Sequence, residues 1–160
     1  MAHTDRTTVV AIYIRDLLRT NAVALGLDAT KIIYGEQVQI PGGISVIIDS
    51  GTKNRTLEGS SAIQVSPGVF SGGRTRNRMA VTITIYNSTM GSEEDQRLAV
   101  DQKAEEIENF LHQDTSLNNN IMHGFVETWN PGISFKSGTM FRTTQMIYMA
   151  QSKTSIPDLP

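Results

Sequence analysis

The segment Met79–Tyr86 reads MAVTITIY and carries the clearest strand signal in the chain. Apolar residues alternate along it with small or polar ones, so the two sets point to opposite faces of a strand. The apolar set is Met79, Val81, Ile83 and Ile85. The rest of the fold is predicted outward from this strand.

One helix is predicted before this strand in the sequence and one after it. The first spans about Asp5–Leu25, with an apolar stripe at helical spacing, Thr4 or Asp5 as its cap and Gly26 as its stop. The second begins after the N-cap Ser92 and reaches His112 or Gln113. Its buried stripe is predicted to be Val100, Ala104, Ile107 and Leu111.

The remaining strands form two pairs. Lys31–Gln37 and Gly43–Asp49 precede the central segment, and Met122–Trp129 and Thr139–Gln151 follow the second helix. Residues 130–138 are predicted as the loop of the second pair, because Asn130-Pro131-Gly132 and Lys136-Ser137-Gly138 bound it with turn-forming residues. This order predicts an α+β fold: one domain over residues 1–160, with an antiparallel or mixed sheet and two helices packed on one face.

A Gly- and Ser-rich stretch at about residues 50–78 separates the second strand from the central one. Loops longer than about 12–15 residues are uncommon in compact domains and usually functional or disordered. We therefore predict a long protruding β-arm or loop, with a short strand at Ala62–Ser66. Residues 152–160 are predicted to be a flexible tail, as unanchored chain ends usually are.

Composition limits the function classes. The 160 residues carry a net charge of −2 and no cysteine, which excludes disulfides and thiol catalysis and makes the surface as a whole a poor binder of polyanions. No apolar run approaches the roughly 20 residues that a membrane-spanning helix needs. Because the N-terminus lacks signal-peptide features, we expect a soluble product of the cytoplasm with no membrane partner.

The search for chemistry predicts no enzyme. His3, His112 and His123 lack metal-ligand spacing, and His112 is interpreted as an exposed cation at a helix end. No nucleophile elbow, Walker loop or dinucleotide-binding glycine motif is present. The carboxylates of the second helix are interpreted as a solvated face. We expect no catalytic residue, no metal ligand and no cofactor.

Charge is unevenly distributed along the chain. Eight of the sixteen acidic residues lie between Glu93 and Asp114, whereas the arm is basic. Three arginines of the arm have period-two spacing, so they share one side of an extended chain. There they could hold phosphates or the carboxylates of a neighbouring subunit. They could also simply keep the strand soluble. Leu98 lies opposite the apolar stripe, either as an ordinary exposed leucine or as a contact with another chain. The interface candidates are Lys53, Arg55, Arg74, Arg76, Arg78, Leu98, Glu105 and Glu108.

The order of elements resembles that of the tail terminator proteins of long-tailed bacteriophages, also called tail completion or head–tail joining proteins. The resemblance covers about residues 5–151 and is architectural, because that family has no short diagnostic motif. The resemblance rests on five features: the helix Thr7–Leu18, the β pair Lys31–Asp49, the strand Met79–Tyr86, the acidic helix Glu93–Gln113 and the closing pair around Phe125–Trp129 and Phe141–Met149.

The resemblance implies a structural virion protein of the tail or neck, synthesised in the host cytoplasm. Its copies would assemble into a ring, a hexamer in such proteins, which caps the tail tube, ends its polymerisation and joins the tail to the head connector. The implied partners are further copies of the chain, the tail tube protein and the head-side connector or adaptor. DNA would pass through the lumen without being read, and no cofactor is implied.

Three alternatives stay open. A tail tube subunit or a head-side adaptor would also be built on a small α+β or β-rich domain with long loops. A ferredoxin-like module that binds a small ligand shares the pattern of two helices on an antiparallel sheet, although fold does not fix function. A nucleic-acid binder would use Arg74, Arg76 and Arg78 on phosphates.

Overall fold

A computed structural model describes residues 4–58, 63–66, 69–71, 74–88 and 91–155 of the chain. Two helices and seven strands occur in these residues, and a single 3-10 turn precedes the first strand. The elements are, in chain order, α1 (Thr7–Thr20), β1 (Ile32–Tyr34), β2 (Ile44–Glu58), β3 (Ile63–Ser66), β4 (Val69–Ser71), β5 (Arg74–Asn87), α2 (Glu93–Leu111), β6 (His123–Lys136) and β7 (Thr139–Ser155).

Five of the strands form one mixed sheet in the order β1-β2-β5-β7-β6. β1 runs parallel to β2, and every other neighbouring pair in this sheet is antiparallel. The strand predicted from MAVTITIY lies in the third, central position, and its apolar set is completely buried. β3 and β4 pair with each other as a separate two-stranded sheet.

Both helices cover the same face of the sheet. The buried stripe of α1 (Val10, Ile14, Leu18) and that of α2 join one core with the strand residues Val46, Ile48, Met79, Val81, Ile83, Ile85, Met146 and Tyr148. The stripe predicted for α2 is confirmed at all four positions. The α+β fold with two helices on one face is therefore confirmed.

The helix ends agree with prediction at α2 and differ at α1. The Ser92 side chain accepts a hydrogen bond from the Asp95 backbone N–H at 3.1 Å, as an N-cap does. α1 is shorter than predicted, because residues 21–26 continue as turns. The N-cap of α1 is Arg6 without a side-chain cap, so the predicted cap at Thr4 or Asp5 is wrong. The Asp5 carboxylate lies beside two basic side chains instead.

The predicted arm is largely regular sheet. Residues 50–58 belong to β2 and residues 74–78 to β5, and the two segments pair with each other. One extra β2 residue between Ser50 and Lys53 makes a bulge in this pairing. Within the segment predicted as a strand at 62–66, residues 63–66 form β3. Residues 59–62, 67–68 and 72–73 lie outside the described residues, so a protruding arm stays a prediction.

The last two strands are longer than predicted. Residues 130–136 continue β6, so the predicted loop at 130–138 is wrong apart from its turn, Ser137-Gly138. Both turn residues have positive φ, as a type I′ hairpin turn requires. Pro131 is tolerated because β6 is an edge strand. Residues 152–155, predicted as part of the tail, pair with β5, and residues 156–160 lie outside the described residues.

Candidate functional site

The bulge in β2 divides the predicted basic residues between the two faces of the sheet. Lys53 pairs with Met79 and Arg55 with Asn77, so both basic residues share the helix-covered side. There the Lys53 ammonium lies 3.4 Å from the Asp5 carboxylate, and the Arg55 guanidinium contacts the same carboxylate. These two candidates hold the chain segment before α1 against the sheet.

Arg76 and Arg78 lie on the opposite face, which we call the open face because no helix among the described residues covers it. Their neighbours across β7 are Lys153 and Gln151, respectively. Both arginines are exposed, and the Arg78 guanidinium lies 3.7 Å from the carboxylate of Glu127. The predicted shared side is confirmed for this pair. Arg74 begins β5, and its side chain lies outside the described residues.

The acidic candidates lie on α2, on the helix-covered side. Glu105 is exposed and lies two turns after Leu98, so the two share one face of the helix. Leu98 is 58% exposed, as predicted from its position opposite the buried stripe. Glu108 differs, because its carboxylate accepts a hydrogen bond from the Trp129 indole N–H at 3.1 Å and thereby ties α2 to β6.

His112 is exposed at the end of α2, as predicted. Its Nε2 accepts a hydrogen bond from the Val126 backbone N–H at 2.9 Å. The ring therefore joins the end of α2 to β6, a contact that was not predicted. Within the described residues, no three histidine or acidic side chains are grouped so as to hold a metal ion.

An apolar surface at the tip of the β6–β7 hairpin was not predicted. Phe135 is 71% exposed, and the exposed side chains of Ile133 and Met140 share its side of the hairpin. Val38 lies nearby, since the Ser137 hydroxyl donates to its carbonyl at 3.5 Å. The alternation of Ile133 and Phe135 was a signal for a strand, but Pro131 and Gly132 led to a loop prediction.

The open face carries a groove of about 250 Å³ near the β1–β2 connection. Thr82, Thr84 and Tyr86 form its floor, and Glu36 and Lys136 stand at its sides. Burial raises the pKa of the Tyr86 phenol, and the nearby Glu36 carboxylate raises it further. A polar groove of this kind could hold a small polar molecule.

Neither of two comparisons finds a relative of known function: no protein-family model matches the chain, and no curated protein matches it. None of the helices in the described part of the chain is long and apolar enough to cross a lipid bilayer.

Proposed function

We propose that this protein is a structural virion subunit whose copies form a ring at the head–tail junction of a long-tailed bacteriophage. The ring caps the tail tube, ends its polymerisation and joins the tail to the head connector, and DNA passes through its lumen. The partners are other copies of the chain, the tube protein and the head-side connector. The resemblance in element order supports this role, and so does the α+β subunit with both helices on one face.

One observation carries the proposal: an acidic segment and a basic group lie on opposite sides of the subunit. The segment from Glu93 to Asp114, on the helix-covered side, has eight acidic residues against Arg97 and Lys103. The far end of the open face presents Arg76, Arg78 and Lys153. Complementary patches on different parts of one surface suit a head-to-tail interface, which closes into a ring when the rotation permits.

Light scattering coupled to size exclusion, followed by negative-stain imaging, tests the proposal. We expect ring-shaped particles with a central opening, formed either by the protein alone or on added tail tubes. The variant Arg76→Glu/Arg78→Glu should assemble less well, whereas Arg76→Lys/Arg78→Lys retains the charge and should assemble. A protein that stays monomeric at every concentration, with and without tail tubes, would contradict the role.

Position on the virion separates the terminator from its nearest alternatives. Labelled protein should lie in the neck, between the head and the top of the tube. Label distributed along the tail would identify a tube subunit, and label on the head side of the connector would identify an adaptor.

The groove on the open face favours a second candidate, a module that binds a small polar ligand. Glu36, Asp49 and Lys136 could provide charge, and Tyr86 and Gln145 hydrogen bonds. Mass spectrometry of the purified protein under native conditions would show a retained small molecule, which Lys136→Ala should release. If the purified protein carries no such molecule, the ligand-binding candidate loses its support and the structural role remains.

A further inference from the structure

The connection between β1 and β2 forms a strap over one end of the open face. Because these neighbouring strands are parallel, residues 35–43 lead the chain from the end of β1 back to the beginning of β2. The Lys31 ammonium donates to the Gly42 carbonyl at 2.7 Å, and the Ser45 hydroxyl donates to the Pro41 carbonyl at 2.9 Å. Ser45 points to the open face and is nevertheless buried, so the strap covers this end of the sheet.

The groove on the open face lies beside this strap. Its floor comes from three neighbouring strands, where Thr84 of β5 pairs with Ile47 of β2 on one side and with Gln145 of β7 on the other. Glu36 of the strap and Lys136 at the end of β6 line its sides. The groove volume of about 250 Å³ is below the roughly 300–1,000 Å³ of sites for drug-sized molecules. It therefore suits a molecule with few heavy atoms.

The polar side chains of the groove are available to a ligand. Within the part of the chain that the structure describes, the side chains of Glu36, Lys136, Thr84 and Gln145 form no hydrogen bond and no ion pair. Burial, and then the Glu36 carboxylate, raise the pKa of the Tyr86 phenol, so the phenol keeps its proton at neutral pH and can donate. The groove thus offers a carboxylate, an ammonium group, hydroxyls and an amide whose hydrogen-bonding capacity the protein does not use.

The charged groups of the groove have opposite sign and are neighbours. Glu36 and Lys136 also line a second pocket together, at the hairpin tip, and these two described residues form no ion pair with each other. Asp49 on β2 adds a second carboxylate, one oxygen of which accepts from the Ser50 backbone N–H at 2.9 Å. A ligand with a single charge would be attracted by one side of the groove and repelled by the other. A ligand with both charges close together gains a charge-assisted hydrogen bond on each side.

We infer that the groove binds a small α-amino acid with a polar side chain. Such a molecule carries its ammonium and carboxylate groups on one carbon, which matches the neighbouring Glu36 and Lys136. Its ammonium group pairs with Glu36, assisted by Asp49, and its carboxylate pairs with Lys136. Its side chain lies on the floor, within reach of the Thr84 hydroxyl and the Gln145 amide. This inference rests on the second candidate function, whose ligand class it names, and it holds whether or not the chain also forms a ring.

Matched ligands test whether both charges are needed. L-Serine is the probe, ethanolamine lacks its carboxylate, and hydroxypropanoate lacks its ammonium group. In a nuclear magnetic resonance titration of isotope-labelled protein, serine should shift the amide signals of the strap, the groove floor and the hairpin tip. Its dissociation constant should be about tenfold or more below that of either analogue, because each analogue loses one charge-assisted contact. Equal binding of all three, or no shift with serine at millimolar concentration, would overturn the inference.

Two variants assign the charges. Glu36→Gln and Lys136→Gln each remove one charge, and each should raise the dissociation constant for serine by about tenfold or more. Lys136→Gln should not weaken the binding of ethanolamine, and Glu36→Gln should not weaken that of hydroxypropanoate, since the lost charge has no counterpart on that analogue. Weaker binding of all three ligands to both variants would contradict the assignment. Glu94→Gln, at an exposed glutamate in the first turn of α2, is the matched control and should leave all three constants unchanged.

The outcomes separate this inference from the proposed functions. If native mass spectrometry finds a retained molecule that lacks one of the two charges, the groove is a ligand site and this inference is wrong. If no molecule is retained and serine does not bind, the inference and the second candidate function fail together, and the ring role stands. If serine binds through both Glu36 and Lys136 while the wild type never associates, the inference holds and the ring role fails.

Discussion

At the scale of single residues, Gly124 occupies a position that a larger side chain cannot share. A Cβ atom there would overlap the Tyr148 hydroxyl and lie 2.6 Å from the ring Cζ and 2.7 Å from Ile121 Cδ1. Gly124→Ala should therefore lower the free energy of unfolding by about 1–3 kcal/mol, as overpacking usually does. Urea unfolding measures the loss. Gly132→Ala, on the same strand, would place Cβ 3.5 Å from the Thr143 hydroxyl, so it should cost little.

The Tyr148 hydroxyl provides a second check on this site. It is buried and has no hydrogen-bond partner in the described part of the chain, and its burial raises the pKa of the phenol. Tyr148→Phe alone should change stability by less than about 1 kcal/mol, because an unsatisfied group is removed. Combined with Gly124→Ala, it should recover part of the loss. If the changes in unfolding free energy of the two single variants simply added in the double variant, a direct clash between the new Cβ and the Tyr148 hydroxyl would be contradicted.

Asp114 stabilises a turn of unusual backbone conformation. Leu117, Asn118 and Asn119 all have positive φ, and Leu117 is buried in the core. Such conformations cost L-residues roughly 1–2 kcal/mol each. The Asp114 carboxylate accepts hydrogen bonds from the Ser116 hydroxyl at 2.7 Å and the Asn118 N–H at 2.8 Å. These bonds offset part of that cost.

The same bonds predict a pH dependence. The Ser116 hydroxyl, then the backbone N–H groups of Asn118 and Ser116, hold the pKa of Asp114 below its ordinary value of 3.8. The folded state thus binds this proton more weakly than the unfolded chain, so the stabilisation is present at neutral pH and is lost as pH falls through the folded pKa. Between pH 7 and pH 3, Asp114→Asn should lose less stability in urea unfolding than the wild type. Equal losses in both proteins would contradict this role.

At the scale of elements, Arg97 is the main polar connection between α2 and the β6–β7 hairpin. Its guanidinium donates to the Gly132 carbonyl at 2.6 Å, the Thr143 carbonyl at 2.8 Å and the Thr144 hydroxyl at 3.1 Å. Arg97→Ala should lower the free energy of unfolding by about 1–3 kcal/mol, because charged hydrogen bonds are lost. Arg97→Lys should retain only part of this stabilisation, because an ammonium group lacks the planar fork of donors that a guanidinium has.

Thermal unfolding measures this effect, and Arg15→Ala is the matched control. Arg15 pairs with its sequence neighbour Asp16 on α1, and such surface pairs contribute little, so the control should stay within about 0.5 kcal/mol of the wild type. If Arg15→Ala and Arg97→Ala were equally mild, the hydrogen bonds of Arg97 would not be important for holding α2 against the hairpin.

The sequence predicted those elements whose apolar residues recur with a clear period. The core strand and both helices were found because burial on one side leaves that period in the residues. The Ser92 cap was found from its residue type and from the acidic residues that follow it. The polar strand extensions at 52–58 and 74–78 have no such apolar period. Their pairing depends on distant residues, so the local sequence does not reveal it. The continuation of β6 through residues 130–136 was missed because Pro131 normally interrupts a strand and is tolerated here only because β6 is an edge strand.

The candidate residues show the same limit. The period of two correctly placed Arg76 and Arg78 on one side. Their separation from Lys53 and Arg55 follows from one extra residue in β2, which moves every later side chain of that strand to the other face. Gly51 is a local signal for such a bulge, because an isolated glycine inside a strand often marks one, but the prediction did not use it. The groove on the open face exists only where distant segments meet.

At the scale of the whole molecule, the acidic segment of α2 and the basic group on the open face predict that assembly is sensitive to salt. Raising NaCl from roughly 50 to 500 mM shortens the screening length severalfold and should slow association about tenfold. Stopped-flow light scattering measures the rate. The variant Arg76→Gln/Arg78→Gln should show a weaker dependence. A rate that does not change with salt would mean that apolar contacts alone guide the encounter.

The central place of β5 also has a consequence for how the chain is made. During synthesis, β2 has already left the ribosome when β5 emerges, so these two neighbours in the sheet can pair. The other neighbour of β5 is β7, which follows only after α2 and β6 have left the ribosome. Until then, the inner strand of the finished sheet has one bare edge, and pairings between distant segments form slowly. The nascent subunit is therefore most prone to aggregate just before its last long strand emerges, and slower translation of that region would prolong the exposure.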